Sequence, residues 1–267
     1  ANVPKTLGNC HASGTEIIDR LGEEHILSGQ PICYTSSDSV FQIAAHESTY
    51  GLDRLYKLCE NLAPFFHKMK VGRVIARPFV GTNRDNFTRT ENRKDFAIDP
   101  PSLTLCDYIK NDNRTVYAVG KINDIFSGKG ISNVLKGKND QDLMTHLLKQ
   151  VQCADDGSFI FANFVEFDSE YGHRRDVAGY ARALEWFDAE LGGVLSQLSS
   201  EDIVIITADH GNDPTWPGTD HTRERVPVLI KGNGIGSIGL ISFSDVGASI
   251  ASYLDVPYNG EGTSFWK

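Results

Sequence analysis

What most constrains this chain is a pattern in its C-terminal half: short apolar runs that close on polar residues, with one helix-period stretch between two of them. Phe159-Ile-Phe-Ala-Asn-Phe-Val-Glu-Phe-Asp168 is the first run, Ile203-Val-Ile-Ile-Thr-Ala-Asp209 the second and Val226-Pro-Val-Leu-Ile230 the third. Short continuous apolar runs rich in β-branched residues suit strands covered on both faces. Between the first two, Val177, Tyr180, Leu184, Phe187, Leu191, Val194 and Leu198 recur at steps of three and four, the period of an amphipathic helix. Strand, helix, strand at this spacing predicts a parallel sheet with crossover helices. Active-site side chains then collect at the carboxyl ends of the strands, so Asp168 and Asp209 are expected on one sheet edge.

The rest of the chain extends an α/β reading. Asp140–Val151 and Ser244–Tyr253 read as helices and Thr115–Val119 as a strand; Tyr50–Leu62 has helical spacing and Val71–Ala76 resembles a strand. Residues 80–102 are polar and loop-like, and Pro100-Pro101 suggests a domain boundary there. The opening residues, Ala1 to Gly8, show no signal-peptide pattern, no initiator Met and no obvious first strand.

Composition narrows the function class. A net charge of -9 argues against an extended nucleic-acid surface, which needs a basic stripe. Nothing approaches the ~20 apolar residues of a membrane helix. The five cysteines, Cys10, Cys33, Cys59, Cys106 and Cys153, are odd in number and widely spaced, with no C-x-x-C pair. Reduced thiols in a cytoplasmic protein fit better than a disulfide framework or a zinc ribbon.

Three clusters pair carboxylates with histidines. They are Asp168-Ser-Glu-Tyr-Gly-His173 followed by Arg174 and Arg175, Thr207-Ala-Asp209-His210-Gly-Asn-Asp213, and Gly218-Thr-Asp220-His221-Thr-Arg-Glu-Arg225. Any one such residue serves as readily as a turn residue or a cap. Together Asp168, His173, Asp209, His210 and His221 form a mixed carboxylate–imidazole donor set, suited to zinc, manganese or iron. Five donors exceed what a mononuclear hydrolytic site usually takes from protein, and two metals ~3.5–4 Å apart clamp both oxygens of a phosphoryl transfer. Asp213, Asp220 and Glu166 read as turn or supporting groups.

The stretch from Thr207 to Glu224 (TADHGNDPTWPGTDHTRE) resembles the C-terminal metal motif of phosphopentomutases, in the alkaline phosphatase superfamily. Phe164–Asp176 looks like that family's other metal segment, and Tyr34–Glu47, Gly72–Gly81 and Asn86–Arg93 match as well, in order along the chain. The resemblance implies an alkaline-phosphatase-like parallel-sheet core, incomplete here, with an inserted α+β cap domain. Residues 1–102 would be most of the cap and 103–267 the C-terminal part of the metal-binding core. It implies two Mn2+ ions, although a mixed Asp/His set also accepts Zn2+ or another divalent ion. Asp209 and His210 would hold one metal, and Asp168, His173 and His221 the other.

By the same resemblance the sugar phosphate is held by Ser36, Asp38, Arg77 and Arg93, where guanidinium forks grip phosphate and a carboxylate accepts from ribose hydroxyls. The implied reaction interconverts ribose or deoxyribose 1-phosphate and 5-phosphate through a phosphothreonine. The family's opening strand, its metal-binding aspartate and the nucleophilic threonine have no counterpart in this chain, so no threonine here is assigned that role. Its partners are then a pentose phosphate and the missing N-terminal segment, supplied in trans. Two other readings stay open: a metal-dependent phosphatase or phosphoglycerate mutase of the superfamily, and a non-catalytic metal-binding fragment.

Overall fold

Two compact units, residues 1–99 and 100–267, make up the computed structural model, which describes residues 5–36, 40–232 and 236–266. The first unit runs β1 (Leu7–His11), α1 (Gly14–Ser28), β2 (Ile32–Thr35), β3 (Val40–His46), α2 (Glu47–Tyr50), α3 (Leu52–Lys68), β4 (Arg73–Val80), β5 (Thr88–Arg89) and β6 (Lys94–Ala97). The sheet order is β1-β2-β3-β4-β5, with β6 also pairing to β4. β3 and β4 are parallel over their full length, from Val40 opposite Arg73 to His46 opposite Phe79.

Local chemistry sets these elements. The Ser13 side chain accepts from the Glu16 amide to start α1, and Gly29 ends it at φ 67°, the left-handed conformation glycine adopts without a Cβ penalty. On α3, Leu55, Leu58, Cys59 and Ala63 recur at three and four and bury against Ile43, Val74 and Ala76 of the sheet. Ile17 and Ile18 of α1 pack with Ile32, Tyr34, Ala44 and Phe79.

Two expectations for this unit change. The opening residues do hold a strand, β1: only Leu7 of it is buried, and Gly8 and Asn9 take positive φ at a register shift, so it lacks an apolar alternation. The polar segment 80–102 contains β5 and β6, whose register comes from the apolar β4 beside them and from Phe96 packing on the core. Lys94-Asp-Phe-Ala97 is too short and charged to announce itself.

The second unit runs α4 (Leu105–Asn111), β7 (Val116–Gly120), α5 (Ile122–Ile125), β8 (Asn133–Leu135), α6 (Asp140–Cys153), β9 (Phe159–Asn163), a turn of π-helix (Phe167–Gly172), α7 (Val177–Gln197), β10 (Val204–Thr207), β11 (Val228–Lys231) and α8 (Phe243–Tyr253). Thr104 and Asp107 form a reciprocal capping box that begins α4. β8, β7 and β9 form a parallel sheet. Cys106, Ile109, Val116, Ala118 and Ile122 lie at its core.

The single parallel sheet joining the first two apolar runs does not form. Among the described residues β10 pairs only with β11, antiparallel, in a separate two-stranded sheet. The reason is coverage: every residue of β9, and Val204 to Ile206 of β10, is only half-buried. The apolar stripe of α7 is likewise open, with Val194 buried but Val177 and Leu184 49% and 52% exposed.

Candidate metal centre

Although β9 and β10 belong to different sheets, the loops that follow them converge. After β9 the chain enters the π-helical turn, where His173 N–H donates to Asp168 O five residues back at 2.9 Å. Such wide turns recur at functional sites because they re-aim one side chain. After β10, Gly211 and Thr222 form an isolated antiparallel bridge that folds 209–222 into a hairpin-like loop. The Thr222 hydroxyl accepts from the Asp213 amide at 2.6 Å and donates to Glu224 at 2.9 Å.

Asp168, His210 and His221 each direct a ligand atom into one space, with those atoms within 4.8 Å of one another. His221 Nε2 lies 3.3 Å from Asp168 Oδ1 and His173 Nε2 lies 3.3 Å from Asp168 Oδ2. The His221 ring stacks on His210 at 3.8 Å and on His173 at 4.8 Å. Asp209, 72% exposed, reaches His210 Nε2 at 3.6 Å. All five expected ligands are therefore contiguous. His210, expected with Asp209 apart from the trio Asp168, His173 and His221, contacts Asp209 and also gathers with Asp168 and His221.

The tautomers speak to what belongs in this space. His173 Nδ1 lies 2.5 Å from the Thr219 carbonyl oxygen, to which it donates, so Nε2 is the atom that faces Asp168. A neutral imidazole in that tautomer sets a lone pair against a carboxylate oxygen, which a divalent cation between them satisfies. The carbonyl-anchored histidine, the carboxylate and the absence of thiolate fit Mn2+ or Zn2+ by donor type.

Two residues without an expected role hold the cluster. Asn212, 8% exposed, donates to Asp168 Oδ1 at 2.6 Å and accepts from Arg175 Nη1 at 2.6 Å. Arg175 also donates to the carbonyls of Gly172, Asp213, Gly218 and Asp220. One guanidinium thus ties the π-helical turn to the loop after β10. Asn212 sits inside the acidic run Asp209–Asp213, but its partner 37 residues away is invisible without the fold. Asp213 accepts from the Thr215 amide and hydroxyl, which hold its carboxyl below the usual range; Asp220 contributes its carbonyl and Glu166 its amide to Asp140.

Asp140, 3% exposed at the start of α6, supports the cluster from behind. It accepts from the Val165 and Glu166 amides at 3.0 and 3.2 Å, fixing the link from β9 to the turn that carries Asp168. Burial pushes its carboxyl up to about 6, against the two amide bonds that pull it down.

In the first unit, Ser36 and Arg77 meet through Gln42. Arg77 Nε donates to Gln42 Oε1 at 2.8 Å, and Gln42 Nε2 donates to Ser36 Oγ at 2.7 Å. Arg93 instead makes a two-point contact with Asp95, at 2.7 and 2.6 Å. Asp38 lies outside the described residues.

Comparison with known proteins follows the same geography. The metalloenzyme superfamily model matches residues 85–258. Proteins named phosphopentomutase from Rhizobium johnstonii and Agrobacterium fabrum are 56% and 53% identical over 99% of this chain, covering 66% of their own length. One from Aeromonas hydrophila is 52% identical over 99% of this chain and 67% of its own length. The chain therefore spans about two thirds of the curated relatives it matches.

Proposed function

Because this chain belongs to the phosphopentomutase family of the metalloenzyme superfamily, we propose that it is the metal-binding and sugar-phosphate-binding portion of an enzyme interconverting ribose or deoxyribose 1-phosphate and 5-phosphate. The observation that carries this reading is the convergence of Asp168, His210 and His221, with His173 and Asp209 in contact. Two divalent ions, manganese by family resemblance, supply charge neutralisation for a transferring phosphoryl group when bound there.

The chain's own residues then have separable tasks. Asp168, His173, Asp209, His210 and His221 ligate metal. Arg175 and Asn212 orient Asp168, and the Thr219 carbonyl fixes the His173 tautomer. The first unit is the cap, in which Ser36, Asp38, Arg77 and Arg93 bind the sugar phosphate. The nucleophilic threonine, phosphorylated in the working enzyme, comes from the third of the relatives' length that this chain does not span. That segment also supplies a strand for the half-buried β9 and β10. The free cysteines fit a cytoplasmic enzyme. Among the described residues no helix is long and apolar enough to cross a membrane.

The test is 31P NMR of ribose 5-phosphate with Mn2+ and the chain supplied with the family's N-terminal segment. Appearance of ribose 1-phosphate supports the reading. Turnover of 3-phosphoglycerate, with none of the pentose phosphate, would show a different member of the superfamily at work. Metal binding with no turnover of either identifies a non-catalytic portion.

A further inference from the structure

At the Gln42 end of the first unit's sheet, Arg77, Arg89 and Arg93 gather, and the carboxylate of Asp95 is held in a two-point contact by Arg93. Arg77 is half-buried and its Nε is fixed on Gln42; its terminal nitrogens have no acceptor among the described residues. Tyr34, 2% exposed, points its hydroxyl at the same Gln42 oxygen at 3.3 Å. A Cβ built on Gly14, the first residue of α1, would stand 2.7 Å from Tyr34 Oη and 3.1 Å from Arg89 Nη1. The hydroxyl and the second guanidinium therefore both close on the Gly14 backbone, an approach that any side chain at residue 14 would block.

Burial raises the Tyr34 phenol, and Arg77, Arg89 and Arg93 all pull it back, which places three cations around that hydroxyl. Burial likewise lowers Arg77, with the charges of Arg93 and Arg89 acting in the same direction and Tyr34 and Asp95 opposing them. Arg93 is already engaged by Asp95. Arg89 has no side-chain acceptor among the described residues. Its place on β5, opposite Phe79, keeps it two residues along β4's register from Arg77.

We propose that Arg77, Arg89 and the Tyr34 hydroxyl form an anion site for a phosphate monoester dianion, with Arg89 the specificity-determining second fork. This rests on the sugar-phosphate reading above and extends it to Arg89 and Tyr34. Two guanidiniums present paired N–H donors matched to a dianion, and the phenol adds a neutral donor. The amino end of a 15-residue helix at Gly14 adds to the positive potential. Like charges held this close repel until an anion joins them.

The test follows the Arg77 Nε–H signal in 15N-labelled full-length chain during titration with ribose 5-phosphate. Its bond to Gln42 slows exchange, so it reports locally whatever binds at the metal cluster. The signal is expected to move saturably; Arg89→Ala weakens the affinity about 10–100-fold, the scale of a charge-assisted pair, and Arg89→Lys restores it in part. Tyr34→Phe weakens it a few-fold, and Arg73→Ala, a control on the same strand, changes it by less than about twofold. A silent Arg77 signal, or Arg89→Ala binding as tightly as wild type, overturns the proposal. Equal affinity for inorganic phosphate, 3-phosphoglycerate and ribose 5-phosphate, all lost in Arg89→Ala, supports the anion site while removing the pentose assignment.

Discussion

Arg175→Ala tests how the metal cluster is assembled. The guanidinium faces five acceptors, three of which, Gly172 O, Asn212 Oδ1 and Asp213 O, share the two hydrogens of Nη1 in part-buried surroundings. Water replaces the two exposed bonds, to Gly218 and Asp220, at little cost. Nη1 has two hydrogens to share among its three part-buried acceptors, about 1 kcal/mol for each hydrogen, so the second unit should lose about 2 kcal/mol. The same change frees Asn212, whose amide aims the Asp168 carboxylate, and divalent-metal affinity should fall about 10–100-fold. Urea unfolding in EDTA gives the first quantity, and calorimetric titration with Mn2+ the second. Arg175→Lys should recover little of either, because one ammonium does not reproduce a fork reaching four carbonyls and an amide. An Arg175→Ala chain within about 0.5 kcal/mol of wild type, with unchanged Mn2+ affinity, would refute the clamp.

Asp140 makes a pH prediction. Its folded-state value, raised from 3.8 to about 6, means the folded chain holds that proton more tightly than the unfolded chain. Its contribution is therefore most favourable below about pH 4, declines as pH rises to about 6 and is constant above, a change of about 3 kcal/mol. Asp140→Asn should flatten that part of the stability-versus-pH curve, measured by urea unfolding from pH 4 to 7; an unaltered slope would place the titration elsewhere. Gly130→Ala should destabilise by about 2–4 kcal/mol, since residue 130 has φ 69° and a Cβ would meet Asp107 N and Cys106 C at 2.4 Å. Thermal unfolding reads the loss, and a neutral result would mean the loop before β8 relaxes freely.

The sequence exposes most where periodicity is long and chemistry dense. The α7 stripe from Val177 to Leu198 yields a helix over Val177–Gln197, and the five metal-ligating candidates are brought into contact. Two kinds of feature stay hidden. Short polar strands such as Lys94–Ala97 owe their conformation to the neighbour they pair with. Long-range polar contacts such as Arg175 to Asn212 leave no periodic trace. The failed parallel pairing of β9 with β10 is of a third kind: apolar runs announce strands but do not say which strand lies beside them.

The most direct test of the central claim is Mn2+ titration of the full chain beside His221→Ala. His221 touches Asp168 at 3.3 Å and stacks on both His173 and His210, so its imidazole is the hub of the cluster. Saturable binding in the wild type, lost in His221→Ala while the unfolding midpoint in EDTA stays put, is the expected result. Equal Mn2+ affinity in both proteins would contradict the assignment of this cluster as the metal centre.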